Sequence, residues 1–160
     1  MKKSILVAAT LMLGTTGLFA TSSYAASNLV AYYSTGGATE QLAKNLAGSI
    51  NADTFHIPLA PSDKDAPLSS EVKNFEQYKV IFIGFPIRSA KEPDEVDMFL
   101  KSYDFSDKTI VPFFTVGNDK DITAVTARIK NIAPNAKVET GRTFHRLNSS
   151  NLKPWASKWL

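Results

Sequence analysis

The sequence predicts a single α/β domain built on a parallel sheet with helices on both faces. Apolar runs of strand length alternate with stretches whose apolar residues recur at helical spacing. The chain has 160 residues, of which 44% are hydrophobic and 21% charged, enough for one ordinary globular core. Three polar or glycine-bearing loops, residues 34–39, 85–93 and 115–121, follow predicted strands, so we expect them to share the carboxyl edge of the sheet.

The first 25 residues differ from the rest and predict a secretory signal peptide. A basic start at residues 2–3 precedes an apolar stretch over residues 5–20, and residues 23–25 place small side chains at positions −3 and −1 of a cleavage site after Ala25. An uncleaved membrane anchor is the weaker alternative, because glycine and threonine at 14–17 interrupt a short apolar run. We therefore expect an exported mature domain, periplasmic or secreted, with no stable membrane anchor after cleavage.

Composition argues against several function classes. The sequence contains no cysteine, so it offers no disulfide, thiolate metal site or cysteine nucleophile. Its two histidines, His56 and His145, lack the spacing of metal ligands. Removing Lys2 and Lys3 with the leader leaves 16 Lys and Arg against 15 Asp and Glu, a net charge of +1. This balance, without any run of basic residues, gives no case for nucleic acid binding.

The loop between the first strand and the first helix has the composition of an anion site. Leu29–Tyr33 is an apolar, β-branched and aromatic run that predicts a buried strand, and the helical pattern runs over about Thr39–Ile50. Residues 34–38 between them are hydroxyls, glycines and an alanine. Unpaired N–H groups and the dipole of a helix start attract anions, and glycines let a ligand approach the backbone. We expect this loop to hold the phosphate of a cofactor.

The next stretch predicts two strands separated by a long connection. Ala52–Ile57 alternates in polarity and predicts a short second strand. Pro58–Ser70 is polar and rich in proline, which predicts a loop, and Ser70–Phe75 predicts a short helical turn. Lys79–Gly84 is the strongest strand pattern, apolar without alternation, as expected for a strand covered on both faces.

Two further elements follow the loop at 85–93. Apolar residues at helical spacing predict a helix over about Asp94–Ser102. The apolar run Thr109–Phe114 predicts a strand, although Pro112 removes a ladder donor and would normally argue against an interior position.

The remaining residues predict a helix, a strand and a final helix. After the loop at 115–121, an apolar stripe predicts a helix over residues 122–132, ended by proline. Lys137–Phe144 predicts the last strand, and Asn148–Asn151 supplies N-cap candidates for the final helix. The apolar face expected for that helix consists of Leu152, Trp155, Ala156, Trp159 and Leu160.

In their order and spacing, these motifs resemble the flavodoxin family. The stretch Tyr32-Tyr33-Ser34-x-Gly36-Gly37-x-Thr39 resembles the flavodoxin phosphate loop. Residues 80–87 are similar to the third strand and first flavin loop, and residues 99–115, with proline inside the strand, to the approach to the second flavin loop. The resemblance implies a flavodoxin-like three-layer sandwich, with a five-stranded parallel sheet of order 2-1-3-4-5, that binds flavin mononucleotide (FMN).

Carried over by position, the resemblance implies three groups of FMN-binding residues. The phosphate would be cradled by Ser34, Thr35, Gly36, Gly37, Ala38 and Thr39. One side of the flavin ring would be flanked by Pro86, Ile87, Arg88 and Ser89, and the other by Thr115, Val116, Gly117, Asn118 and Asp119. The implied function is electron transfer, or FMN-dependent oxidoreductase activity on a small acceptor such as a quinone, with an unidentified redox partner.

The sequence departs from the family pattern at both parts of this site. Gly36 and Ala38 replace a hydroxyl and an amide, and residues 88–90 stand where an aromatic side chain usually stacks on the ring. The loop at 115–121 has no aromatic residue either. If ring stacking resembles base stacking, each lost platform costs roughly 1–3 kcal/mol. The alternative function is therefore a flavodoxin-like binding or interaction domain that has lost tight flavin binding.

Other roles for the polar residues stay open at this point. Arg88 suits a solvated loop charge as well as a ligand contact, in which its guanidinium plane could stack on the ring. Asp119 and Asp121 suit capping of the following helix better than chemistry. A hydrolase pair of Ser34 and His145 lacks an identifiable orienting acid and oxyanion hole.

Overall fold

The parallel sheet determines where the site lies. In the computed structural model, which describes residues 26–145 and 149–160, the first five strands, numbered along the chain, lie in the order 2-1-3-4-5 and every strand pairing is parallel. This confirms the predicted α/β fold and the strand order 2-1-3-4-5. The predicted signal peptide at 1–25 and the cap candidate Asn148 lie outside the described residues.

Most predicted elements are found within one or two residues of their expected bounds. The strands are β1 (Asn28–Tyr32), β2 (Asp53–His56), β3 (Val80–Phe85), β4 (Thr109–Phe114), β5 (Lys137–Val138) and β6 (Arg142–Thr143). The helices are α1 (Ala38–Ile50), α2 (Asp94–Ser102), α3 (Asp119–Ile132) and α4 (Leu152–Ala156). Short 3-10 segments lie at Phe75–Gln77, Ser149–Asn151 and Ser157–Trp159.

Two apolar layers cover the sheet, one on each face. The first contains side chains of α2 and α3, such as Phe99 and Val125, packed on one face of the central strands. The second contains side chains of α1 and α4, such as Leu46 and Trp155, packed on the other face. All six residues of β3 are buried, which explains why this strand is apolar without alternation.

The last predicted strand is wrong as a single element, and Pro112 accounts for the break. Residues 110, 112 and 114 of β4 present their backbone to the same side, because the N–H groups of Glu139 and Phe144 donate to the carbonyls of Ile110 and Phe114. Pro112 lies between these two bonds and has no N–H to give. The ladder is therefore interrupted opposite it, and Lys137–Phe144 forms β5 and β6 with an irregular stretch between them.

Two smaller corrections concern the helical segments. The short turn predicted at Ser70–Phe75 lies instead at 75–77, where Lys108 donates hydrogen bonds to the carbonyls around it. In the last segment Leu152, Trp155 and Ala156 are buried as predicted, but Leu160 is 56% exposed because it follows the final 3-10 turn. Among the helices of the described residues, none has the length and apolarity to cross a membrane.

Candidate functional site

The loop between β1 and α1 forms an open cradle of backbone N–H groups. Gly37 precedes the helix with φ +82°, a left-handed conformation that favours glycine, and in the described part of the chain no side chain caps α1. The hydroxyl oxygen of Ser34 accepts a 3.1 Å hydrogen bond from the Gly37 N–H, which closes the loop. Apart from each glycine and the residues adjacent to it in the chain, no atom of the described residues lies within 4 Å of the position that a Cβ would take at Gly36 or Gly37. The two glycines thus leave open space beside the start of α1, where a helix presents unpaired N–H groups that suit an anion.

Two long-range hydrogen bonds bring the three predicted loops together. Thr39 is buried, and its Oγ1 lies 2.9 Å from Oγ1 of Thr115, which joins the start of α1 to the loop after β4. The Ile87 N–H donates a 3.1 Å hydrogen bond to the Val116 carbonyl, which joins the loop after β3 to the same segment. The predicted convergence of the loops at 34–39, 85–93 and 115–121 is therefore present at the carboxyl edge of the sheet.

The β3–α2 loop contains a strained tight turn. The N–H of Lys91 donates to the carbonyl of Arg88 over 3.2 Å, and the two residues form an antiparallel bridge. Ser89 and Ala90, at the tip, have φ of 54° and 53°. Left-handed backbone at a residue with a Cβ costs roughly 1–2 kcal/mol, so two successive residues of this kind make the turn expensive. The turn sets where the side chains of Arg88 and Lys91 begin.

A cavity of about 240 Å³ lies between the 34–39 loop and the β3–α2 loop. Thr35, Pro86 and Arg88 line it, as the sequence predicts for site residues. Its other lining residues were missed from sequence and are Tyr33, Lys91, Glu92 and Pro93. Tyr33 directly follows β1, so its place at a strand end was the signal that could have identified it.

One positively charged side chain that lines this cavity has no ion-pair partner among the described residues. Glu92 has a fully buried side chain, and its two carboxylate oxygens accept hydrogen bonds from Nε of Arg128 at 2.8 and 2.9 Å. Lys91 pairs with Asp94 at 2.7 Å. Across residues 26–145 and 149–160, no carboxylate oxygen lies within 4 Å of the Arg88 guanidinium. The cavity therefore offers an anion one uncommitted positive charge.

Burial and neighbouring charges shift the pKa values of two acidic groups near this cavity. Burial raises the pKa of the Tyr33 phenol, Glu95 raises it further, and Arg88 opposes the change. Asp97 lies beside Glu92, and burial together with this like charge raises the pKa of Asp97 to about 6. Within the described residues, Asp97 Oδ1 is buried without a hydrogen-bond partner. Asp97 is thus held in a place that favours its protonated form.

The loop after β4 serves partly as a helix start. Asn118 accepts hydrogen bonds from the N–H groups of Lys120 and Asp121, and the Asp121 carboxylate accepts one from the Asn118 N–H. This capping box confirms the predicted capping role of Asp121 and occupies the side chain of Asn118. Asp119 begins α3 and is exposed.

The residues of that loop nearest to the sheet shape the site in different ways. Val116 is 56% exposed and presents its aliphatic side chain to solvent. Gly117 has φ +136°, and a Cβ there would lie 3.0 Å from Cδ1 of Ile87. The Ile87 side chain is 2% exposed, so it supports the loop from beneath. Pro86 is half-buried, and Ser89 is exposed at the tip of the tight turn.

Neither histidine lines the cavity between the 34–39 and β3–α2 loops. His56 is exposed and its ring stacks on Tyr32 with centroids 5.1 Å apart. His145 is exposed and lines a separate cavity with Asn118 and Arg142. In the described ranges, no group of three or more His, Cys, Asp or Glu side chains is placed to hold a metal ion.

Comparison with known proteins identifies the family. A family model described as Flavodoxin matches residues 60–159, well over half of the chain. The chain belongs to the flavodoxin family. This flavodoxin-family chain is similar to a protein from Bacteroides uniformis described as a flavoprotein, with a TM-score of 0.71 and 26% identity over 82% of this chain and 98% of that one. No curated protein matches the sequence.

Two other solved structures share the fold. A protein from Bacteroides eggerthii described as a flavoprotein has a TM-score of 0.71 at 24% identity, over 82% of this chain and 96% of that one. A flavoprotein from Lactobacillus acidophilus, solved in complex with FMN, has a TM-score of 0.64 at 18% identity, over 84% of this chain and 99% of that one.

The family match covers two of the three loops of this flavodoxin-family protein. Because it begins at residue 60, it includes the loops at 85–93 and 115–121 but not the loop at 34–39. The hydrogen bond between Thr39 and Thr115 connects that remaining loop to the matched region, across 76 residues of sequence.

Proposed function

We propose that this chain binds FMN and works in electron transfer, either as a carrier or as a small flavin-dependent reductase. The main supporting observation is the open, glycine-bearing loop at 34–39, which the Thr39–Thr115 hydrogen bond joins to the loop after β4. Family membership and the fold shared with a flavoprotein solved with FMN support the choice of cofactor. When bound, FMN supplies the one- and two-electron chemistry, and the protein supplies binding, orientation and access.

The residues divide this work according to their positions. The backbone N–H groups at the start of α1, with the exposed Thr35 hydroxyl, bind the phosphate. Pro86 and Val116, on the loops after β3 and β4, flank the ring with aliphatic surface. Ile87 does not face solvent and holds the two loops against each other through its N–H and its buried side chain.

A second candidate function is a flavodoxin-like interaction domain that binds flavin weakly or not at all. The observation that favours it is the exposed aliphatic Val116 and the exposed Arg88 in loops that carry no stacking aromatic side chain. Two lost platforms at roughly 1–3 kcal/mol each would weaken binding by about 30-fold to 10⁴-fold. Flavin affinity therefore separates the two functions.

The test is a titration of FMN fluorescence with purified mature protein. Quenching with a dissociation constant on the order of tens of micromolar or below supports FMN binding, and absence of quenching in that range refutes it. Gly37→Asp should abolish quenching, because it places charge and bulk in the cradle. Gly48→Asp is the matched control, since Gly48 lies on α1 with open space around it and should retain wild-type affinity.

A further variant separates charge from backbone strain at Gly37. Any residue with a Cβ is strained at φ +82°, but asparagine tolerates this region and carries no charge. Gly37→Asn should therefore retain part of the affinity that Gly37→Asp loses. Equal, wild-type affinity of both variants would show that the phosphate binds elsewhere.

We also propose that residues 1–25 direct export and that the mature domain is 26–160. The support is the basic, apolar and small-residue pattern of the first 25 residues. A chain exported unfolded would take up FMN after export. Mass spectrometry of the protein from periplasm or medium should find an N-terminus at Ala26, and recovery of the intact chain from the cytoplasm alone would contradict the proposal.

A further inference from the structure

We propose that Arg88 is the counterion of the phosphate bound by the 34–39 loop, and not a wall of the flavin ring. The inference rests on the proposed FMN-binding function and adds to it a charged side chain from a different loop. Three observations support it. Side chains of the 34–39 loop are already used in hydrogen bonds within the protein, Arg88 has no ion-pair partner among the described residues, and both loops line the same cavity.

The 34–39 loop has few side chains left to offer a phosphate. Ser34 Oγ accepts a hydrogen bond from the Gly37 N–H, which leaves its O–H as a neutral donor, and Thr39 is buried against Thr115. Residues 36–38 are glycine, glycine and alanine and carry no side-chain donor. Thr35 is exposed and remains available. A helix start contributes only about half an elementary charge, so a phosphate dianion in this cradle is left mostly uncompensated by the loop itself.

Arg88 lies across the same cavity and is free to compensate that charge. It lines the 240 Å³ cavity together with Thr35 of the 34–39 loop. The two other charged residues that line the cavity already form ion pairs. Lys91 pairs with Asp94, and Glu92 pairs with Arg128. Burial and Glu95 raise the pKa of the Tyr33 phenol and Arg88 opposes this rise, as expected for a charge near the end of β1, from which the 34–39 loop begins.

The backbone of the tight turn fixes where the Arg88 side chain begins. The turn closes on Arg88 through the Lys91 N–H and keeps Ser89 and Ala90 in the left-handed region. A guanidinium presents five donors in a planar fork, which matches the oxygens of a phosphate. Stacking on a ring would use only the face of the guanidinium and leave its charge unpaired, whereas a phosphate accepts hydrogen bonds from the fork and is itself partly neutralised. The geometry therefore favours the phosphate over the ring.

The experiment compares FMN with riboflavin, which has the same ring and no phosphate. In Arg88→Gln, FMN affinity should fall about 10- to 100-fold, as expected for loss of one charge-assisted contact, and riboflavin affinity should stay within about twofold of wild type. Arg88→Lys keeps the charge without the fork and should lie between. Lys130→Gln is the matched control, because it removes an exposed cation from the far end of α3.

Salt dependence gives an independent readout. Raising ionic strength should weaken FMN binding to the wild type more than to Arg88→Gln, because one screened charge pair is gone in the variant. Far-ultraviolet circular dichroism and thermal unfolding establish that both Arg88 variants are folded.

Each remaining outcome refutes a different part of the reasoning. Wild-type FMN affinity in Arg88→Gln overturns the assignment of Arg88 and leaves the proposed function intact. Equal losses for FMN and riboflavin place Arg88 at the ring and also overturn the assignment. Failure of the wild type to bind either flavin overturns the proposed function and the inference with it.

Discussion

Asp97→Asn should stabilise the protein at pH 8 and lose that advantage at pH 4. Asp97 lies in the first turn of α2, and its Oδ1 is buried without a hydrogen-bond partner among the described residues. The Glu92 carboxylate beside it is itself buried and held by Arg128. Two carboxylates in contact need a shared proton, so the ionised form of Asp97 is penalised in the folded state.

The size and sign follow from the pKa of Asp97. Burial first, and Glu92 second, raise this pKa from its ordinary value near 4 to about 6. A rise of this size corresponds to about 3 kcal/mol, but the contribution to stability is smaller, about 1–2 kcal/mol, because Asp97 is only partly buried and solvent screens it. Because the folded pKa lies above the unfolded one, the stability from protonated Asp97 is fully present below about pH 4. It is lost as pH rises through about 6.

The assay is urea unfolding of both proteins at several pH values between 4 and 8. The neutral amide that Asp97→Asn introduces can donate to Glu92 at every pH, so the variant should gain about 1–2 kcal/mol at pH 8 and almost nothing at pH 4. Asp94→Asn is the control with opposite sign. Lys91 lowers the pKa of Asp94, so that ionised carboxylate stabilises the fold at high pH.

A pH-independent difference between wild type and Asp97→Asn would refute this account of the carboxyl pair. Destabilisation at pH 8 would refute it more directly, since it would show that ionised Asp97 is favoured in the folded protein.

Three further predictions concern packing and buried polar groups. Gly84→Ala should cost about 1–3 kcal/mol in urea unfolding, because its methyl group would overlap a buried phenyl ring of β4; near-zero cost would show that the ring can move aside. Lys108→Met should cost about 1–3 kcal/mol by leaving the carbonyls of residues 75, 76 and 78 without their buried donor, and an unchanged denaturant midpoint would contradict this. Thr39→Val should cost about 0.5–1.5 kcal/mol, and in a double-mutant cycle with Thr115→Val the two losses should be strongly non-additive; full additivity would argue against the hydrogen bond.

Sequence patterns alone determined the elements whose structure depends on their own residues. The unbroken apolar run of β3 marked a strand buried on both faces, and the helical spacing of α2 gave its bounds, Asp94–Ser102. The small residues at 34–38 marked an open helix start, because glycine at Gly37 permits a conformation that other residues avoid. These features follow from backbone geometry and local periodicity, which the sequence states directly.

The tertiary structure decided what depends on the neighbouring strand. Pro112 is accommodated inside the sheet because it lies opposite the gap between β5 and β6, and the same proline breaks the strand that was predicted to be continuous there. The capping role of Asn118 was missed, although Asp121 three residues later is its sequence signature.

The site itself shows the same division. Residue types in the 34–39 loop indicated a phosphate, and the resemblance to the flavodoxin family implied a flavin, but neither indicated that Tyr33 and Glu92 line the cavity or that Ile87 supports it from within the core. Those placements depend on β3 lying between β1 and β4, which brings together loops far apart in the chain. Contacts of this kind form only when the strands pair. Local sequence could therefore predict the kind of ligand but not all of the residues that line the cavity.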